Sequence, residues 1–196
     1  MKRSTSLLAF AASILTATLV HGAVSVGQSA PDFKVKDTSG KEQSLSAYKG
    51  KFVVLEWVNP DCPFVKKHYD SSNMQATQKS AEAKGAVWLS VSTGAGGKAS
   101  DLDAWVKEKG AAPTATLLDP DGKVGKAYGA RTTPHMYVIN PEGKLVYAGA
   151  IDNKPTANKA DVQGATNYVT AALSEAMAGK PVSKATSEPY GCSVKY

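Results

Sequence analysis

Apolar positions along the chain fall into two rhythms, and the switches between them mark out the elements. Phe52 to Val58 is an almost unbroken apolar, β-branched run that reads as a central strand buried on both faces. Ala86 to Ser92 and Thr114 to Leu118 give two more strand candidates. His135 to Ile139, the turn Asn140-Pro141-Glu142-Gly143, and Leu145 to Ile151 predict a hairpin. Helical spacing fills the intervals. Pro63 opens a helix, its fixed φ suiting the first helical position, with a break near Asp70 to Asn73. Beyond the flexible stretch Thr93 to Lys98, Ser100-Asp101-Leu102-Asp103 resembles a capping box for a helix through Lys109. A helical turn is expected over Lys123 to Tyr128, and a last helix over Ala165 to Ala178, stopped by Gly179 and Pro181. An extended lead-in, Ala30-Pro31-Asp32-Phe33, and a turn from Leu45 to Gly50 precede the first strand, and the tail after Pro181 has no strong period. This alternation predicts an α/β fold with its sheet covered by helices.

The first residues stand apart. Lys2 and Arg3 precede an apolar run from Leu7 to Val20 and then the small residues Gly22 and Ala23, which is the form of a signal peptide over residues 1–23. The run is too short for a membrane span, and an uncleaved anchor is the alternative reading. Cleavage implies a periplasmic or secreted protein with no stable membrane span, in a compartment where disulfides persist.

About 173 residues then remain of the 196, enough for one well-cored domain, read as 24–180 with a tail over 181–196. The formal charge of +6 includes Lys2 and Arg3, which leaves a mildly basic surface in which lysines and acids are interleaved. With no block of like charge and no recognition motif, nucleic acid is not an expected partner. Two cysteines are too few for a disulfide scaffold or a four-thiolate zinc site. No nicotinamide, flavin or phosphate-binding motif points to a cofactor.

The chemistry centres on Cys62 in Asp61-Cys62-Pro63-Phe64-Val65, which reads as a Cys-x-x-Cys motif with valine in place of the second thiol. A cysteine at a helix start meets unpaired amide donors and the positive end of the helix dipole, and both favour thiolate. Lys66 and Lys67 would add to this, whereas Asp61 opposes it. A buried structural cysteine is the competing reading. His68, further along the same helix, reads as a surface residue.

Lys51 to Cys62 resembles the strand and active-site turn of thioredoxin-fold redoxins, the group that includes the alkyl hydroperoxide reductase and thiol-specific antioxidant family. Ala30-Pro31-Asp32-Phe33, Lys49-Gly50-Lys51 and Thr132-Thr133-Pro134 resemble further segments of that family in the same order, from about Val26 to Gly179. The resemblance implies a thioredoxin-like fold, a central mixed β-sheet flanked by helices, with thiol redox chemistry at Cys62. It also implies a cis bond before Pro134, so that Thr133, Pro134, His135 and Pro63 form the substrate-binding surface beside the thiol. Glu56 matches a buried acid of thioredoxins, where a raised pKa would let it shuttle a proton; a solvated place at the sheet edge is the other reading. His135 is read either as tuning the thiolate or contacting a ligand, or as a strand histidine with a satisfied ring.

Departures from the family matter as much. Val65 removes the local disulfide, and Asn59 and Leu55 stand where peroxiredoxins resemble one another in Thr and Pro. Pro134 stands where those enzymes carry an arginine, leaving Arg131 to reach in from the loop. Cys192, near the end, is either a bridging partner for Cys62 or an unrelated terminal thiol. Three functions follow as expectations. The first is an exported thiol oxidoreductase acting on protein or small-molecule thiols and disulfides with an external thiol reductant. The second is a thiol peroxidase. The third is a non-catalytic Cu(I) protein using Cys62, Cys192 and His135.

Overall fold

The computed structural model describes residues 23–94 and 97–196, so the signal segment, apart from Ala23, lies outside the described residues, as do Ala95 and Gly96 of the glycine-rich stretch. In chain order the elements are β1 (Lys34–Lys36), β2 (Glu42–Ser44), β3 (Val53–Trp57), α1 (Pro63–Asp70), α2 (Asn73–Ala83), β4 (Val87–Thr93) and α3 (Ala99–Glu108). They continue with β5 (Ala115–Asp119), α4 (Lys123–Tyr128), β6 (Thr132–Thr133), β7 (His135–Ile139), β8 (Leu145–Gly149), α5 (Tyr168–Met177) and β9 (Cys192–Ser193).

The central sheet has the order β5-β4-β3-β7-β8. β3 runs parallel to β4 and antiparallel to β7, which makes the sheet mixed. Strand alternation sends Val54, Glu56 and Val58 to one face, where Trp88, Met136 and Val138 meet Val65 and Tyr69 of α1, Met74 of α2 and Val169 and Leu173 of α5. Val53, Leu55 and Trp57 point to the other face, against Phe33 and Leu45 of the lead-in and Val124 and Tyr128 of α4. Both faces are covered, which is why the β3 sequence is apolar without alternation. Among the described residues no helix is long and apolar enough to cross a membrane.

The structure corrects the sequence reading at several edges. β1 and β2 form a hairpin the pattern does not show, because each strand is three residues long and largely exposed. Its turn is organised by Asp37, whose carboxylate accepts from the Ser39 and Lys41 amides and the Gln43 side chain. α3 is not opened by a capping box: Lys98 is its N-cap, and the Ser100 hydroxyl turns to Asp101 instead. α5 begins at Tyr168 rather than Ala165, because the Asn167 side chain accepts from the Thr170 amide and fixes the start there. The tail is fastened to the domain along its length. Ser187 bonds the backbone of Ala148 and Ala150, β9 pairs antiparallel with β6, and Tyr196 donates to the Ala130 carbonyl.

Candidate redox site

Cys62 is the N-cap of α1, with extended backbone at φ −72° and ψ 123°, and its carbonyl receives the first helical bond from Lys66. Asn59 shapes the turn: its side chain accepts from the Asp61 amide and its carbonyl from the Cys62 amide. Pro63 follows as the first helical residue and loses nothing by lacking an N–H there. Cys62 is 1% exposed, so the sulfur faces inward. It lies 3.0 Å from the Thr133 carbonyl, and the peptide bond between Thr133 and Pro134 is cis. A cavity of about 370 Å³ borders this turn, lined in part by Asn59, Asp61, Thr133 and Lys195.

The second sulfur arrives from the tail. In the β6–β9 pair Cys192 lies opposite Thr133, which puts its thiol within bonding reach of Cys62. No disulfide joins the two sulfurs in this structure. Gly191 permits this approach: at φ +138°, a Cβ there would sit 2.0 Å from the Thr133 carbonyl oxygen.

The two thiols are pushed in opposite directions. Burial would raise the Cys62 pKa, but the Cys192 thiol, Thr133 and the amides of Val65 and Cys192 all bond its sulfur and together hold it below the ordinary thiol value. Among the described residues the buried Thr133 hydroxyl has no partner apart from that sulfur. Cys192 is pushed up to about 11, first by burial and then by its bond to the Cys62 sulfur and that sulfur's charge. Cys62 is therefore the more acidic thiol of the pair, and in its protonated form it donates to the Thr133 carbonyl. Val65, in the place of a local second thiol, contributes its amide while its side chain fills the core.

The remaining sequence candidates are placed as follows. Glu56 is fully buried rather than solvated, and its carboxylate accepts from Tyr69 (2.8 Å), Trp88 (2.8 Å), Ser90 (3.1 Å) and Gln78 (3.4 Å). Burial outweighs those bonds and raises its pKa. Its side-chain partners belong to that cluster, and Cys62 is not among them. His135 has a satisfied ring: Nδ1 meets the Arg131 amide and the Tyr137 hydroxyl, and burial followed by the Arg131 charge lowers its pKa to about 3. Its ring lies against Tyr137, and among the described residues no three His, Cys, Asp or Glu side chains gather as metal ligands. The copper grouping of Cys62, Cys192 and His135 is thus not assembled. Arg131 pairs with Glu188 at the surface instead of reaching in.

His68 corrects the surface reading most plainly, being 0% exposed. Its Nε2 meets the Tyr190 hydroxyl and its Nδ1 the Asn73 amide, and burial lowers its pKa to about 4. The tail and the loop after β8 cover that face of α1, and helical spacing carries no signal of a cover supplied by distant segments. Asp152, Tyr190 and Gly191 escaped sequence reasoning as parts of this neighbourhood, and Lys67, read as a support for the Cys62 thiolate, turns instead to the Lys154 carbonyl, Asp152 and Tyr190.

Comparisons with known proteins agree with this geometry. Over 123 residues the chain is 33% identical to the thiol-disulfide oxidoreductase ResA of Bacillus subtilis, covering 63% of this chain and 66% of that protein, just under two thirds of its length. The crystal structure of an uncharacterised conserved protein from Geobacillus kaustophilus is similar with a TM-score of 0.77 and 24% identity, over 88% of this chain and 92% of that one. That of a putative thiol:disulfide interchange protein DsbE from Chlorobium tepidum is similar with a TM-score of 0.58 and 24% identity, over 77% and 99%. These neighbours share the thioredoxin fold. With a family profile matched over residues 26–148, the chain belongs to the AhpC/TSA family of thioredoxin-fold redoxins.

Proposed function

We propose that the protein is an exported thiol-disulfide oxidoreductase in which Cys62 is the nucleophile and Cys192 the second thiol. The observation that carries this reading is the meeting of two sulfurs beside the cis Thr133–Pro134 bond: Cys62 buried at the start of α1, and Cys192 brought opposite Thr133 by the tail. The Cys62 thiolate attacks a substrate disulfide, forming a mixed disulfide and releasing one substrate thiolate, which takes up a proton. Cys192 then loses its proton and attacks the Cys62 sulfur. This step forms the Cys62–Cys192 bridge and releases the second substrate thiol, two electrons having passed to the substrate. An external thiol reductant restores the pair. The similarity to ResA supports this chemistry, and the Lys2-to-Val20 pattern supports export. Thr133, Pro134 and Pro63 would form the surface against which the substrate lies, with Glu56 as a buried support beneath the turn.

Mass spectrometry of the reduced mature protein tests the pairing. One equivalent of oxidised glutathione is expected to remove two hydrogens and yield a Cys62–Cys192 peptide after digestion, whereas Cys192→Ser stalls as a stable glutathione adduct at Cys62. Free thiols under this treatment, with oxygen gained at Cys62 under peroxide and no bridge formed, would replace this reading by the peroxidase one.

A further inference from the structure

Outside the sulfur pair, a cluster of buried ionisable groups lies between α1, the loop after β8 and the tail. Lys67 is 1% exposed, His68 0% and Asp152 2%, and Tyr190 reaches in to touch all three. Burying charge costs several kcal/mol per ion unless it is paired, so a cluster of this kind is weak evidence for stability and points instead to a specific geometry being held.

The bonds run in one direction. The Asn73 amide donates to Nδ1 of His68 at 2.8 Å, so the neutral imidazole carries its proton on Nε2 and donates to the Tyr190 hydroxyl at 3.0 Å. That hydroxyl donates in turn to Asp152 Oδ1 at 2.5 Å. Lys67 Nζ donates to the Lys154 carbonyl at 2.6 Å, sits 3.9 Å from Asp152 Oδ2, and lies 5.3 Å from the centre of the Tyr190 ring. Phe64 meets the same ring edge-on at 5.9 Å. Phe64, Lys67 and His68 are three and four residues apart, so they form one face of the helix that begins at Cys62. Tyr190 therefore grips the helix carrying one sulfur, two residues before the tail presents the other. Gly191 carries the chain between them, and its missing Cβ lets Cys192 settle opposite Thr133.

We infer that Tyr190, held by His68, Asp152 and Lys67, is a positioning residue that sets the Cys192 thiol against Cys62, and this rests on the proposed pairing of the two cysteines. Its hydroxyl fixes the tail's height along α1. Without that bond the two-residue strand β9 and the distant contact of Tyr196 hold Cys192 less tightly, and the effective concentration of one thiol at the other falls.

The test is the equilibrium of the Cys62–Cys192 bridge with glutathione, in which two glutathione thiols are oxidised to one glutathione disulfide as the bridge is reduced. Wild type, Tyr190→Phe, Lys67→Gln and Tyr196→Phe are compared as full mature chains, together with the ultraviolet thiolate titration of each reduced protein. Tyr190→Phe is expected to lower the effective concentration on the order of tenfold or more, the usual worth of a buried bond to a charged group. It should also move the Cys62 titration upward, since the Cys192 thiol that bonds its sulfur withdraws. Lys67→Gln, which leaves the hydroxyl in place, is expected to follow with a smaller change and serves if Tyr190→Phe fails to fold. Unchanged values in both variants, or an equal loss in Tyr196→Phe, would overturn the positioning role while leaving the bridge intact. Absence of any bridge in wild type would instead overturn the pairing itself.

Discussion

Residues 53–70 and residues 186–196 each deliver one sulfur to the same place, and they do so by opposite means. In the first segment a fully buried strand, a turn fixed by Asn59 and a proline-started helix set the position of Cys62 within a few residues of chain. Beneath it, Glu56 gathers Tyr69, Trp88 and Ser90 into the centre of the core. The tail has a single two-residue strand, and Ser187, Tyr190 and Tyr196 tie it to partners far back in sequence. The nucleophile is thus built into rigid structure, and its partner thiol is carried by a segment with few buried apolar contacts, the kind that opens at low cost. Damage to the first segment should be felt by the whole domain, and damage to the second by the tail alone.

The largest effect should come from Glu56. Glu56→Ala strips the acceptor from four buried donors, Tyr69, Trp88, Ser90 and Gln78, and is expected to cost roughly 3–4 kcal/mol in urea unfolding at neutral pH. Glu56→Gln keeps one carbonyl acceptor and most of the shape, and should lose roughly 1–2 kcal/mol. A cost within about 0.5 kcal/mol of zero for the alanine variant would mean that this segment is no more integral to the domain than the tail is.

Gly191 probes the other side. Valine there would clash with the Thr133 carbonyl at a backbone angle that side chains rarely adopt, so β9 must lift away. The domain should stay folded, with its urea stability lowered by no more than the docking energy lost. Labelling of Cys62 by a bulky maleimide should quicken roughly 30- to 100-fold, which corresponds to about 2–3 kcal/mol of lost docking. A global loss of stability with no gain in labelling would show that tail and core unfold as one unit.

The same contrast explains what the chain disclosed before its structure was known. The central strand, the Cys62 turn and the hairpin were legible because their signals are local: apolar runs, a proline at a helix start and turn residues at fixed spacing. Pro134 was placed through family likeness rather than pattern, and its bond is cis as that likeness implied. Glu56 stood between two readings because alternation along an all-buried strand does not say which polar side chain is satisfied. The Lys-Val-Lys strand was missed because an exposed three-residue strand has no apolar face to announce it. His68 was misread because what covers it is Tyr190, and a contact spanning more than a hundred residues leaves no period in the sequence.

His68 gives the smallest expected effect and joins the two segments, since it belongs to α1 but is sealed by the tail. Burial lowers its pKa from 6.5 to about 4; the neighbouring Asp152 charge works against this shift and the Lys67 charge works with it. Between those values the unfolded chain binds a proton at this site and the folded protein does not. Its contribution is therefore fully present above pH 6.5 and is lost as the pH falls toward 4. From pH 7 to pH 5 the loss is about 2 kcal/mol. His135 is lowered in the same sense and adds a slope of its own, so the decisive quantity is the difference between wild type and His68→Gln. Urea unfolding at the two pH values should show wild type losing about 2 kcal/mol more than the variant. If maleimide labelling of Cys62 in wild type also accelerates at pH 5, after correction for the slower intrinsic reaction, protonation opens the tail before it unfolds the domain. Equal slopes in the two proteins would place His68 in water, and the seam between helix and tail would not be the sealed contact that separates these two regions.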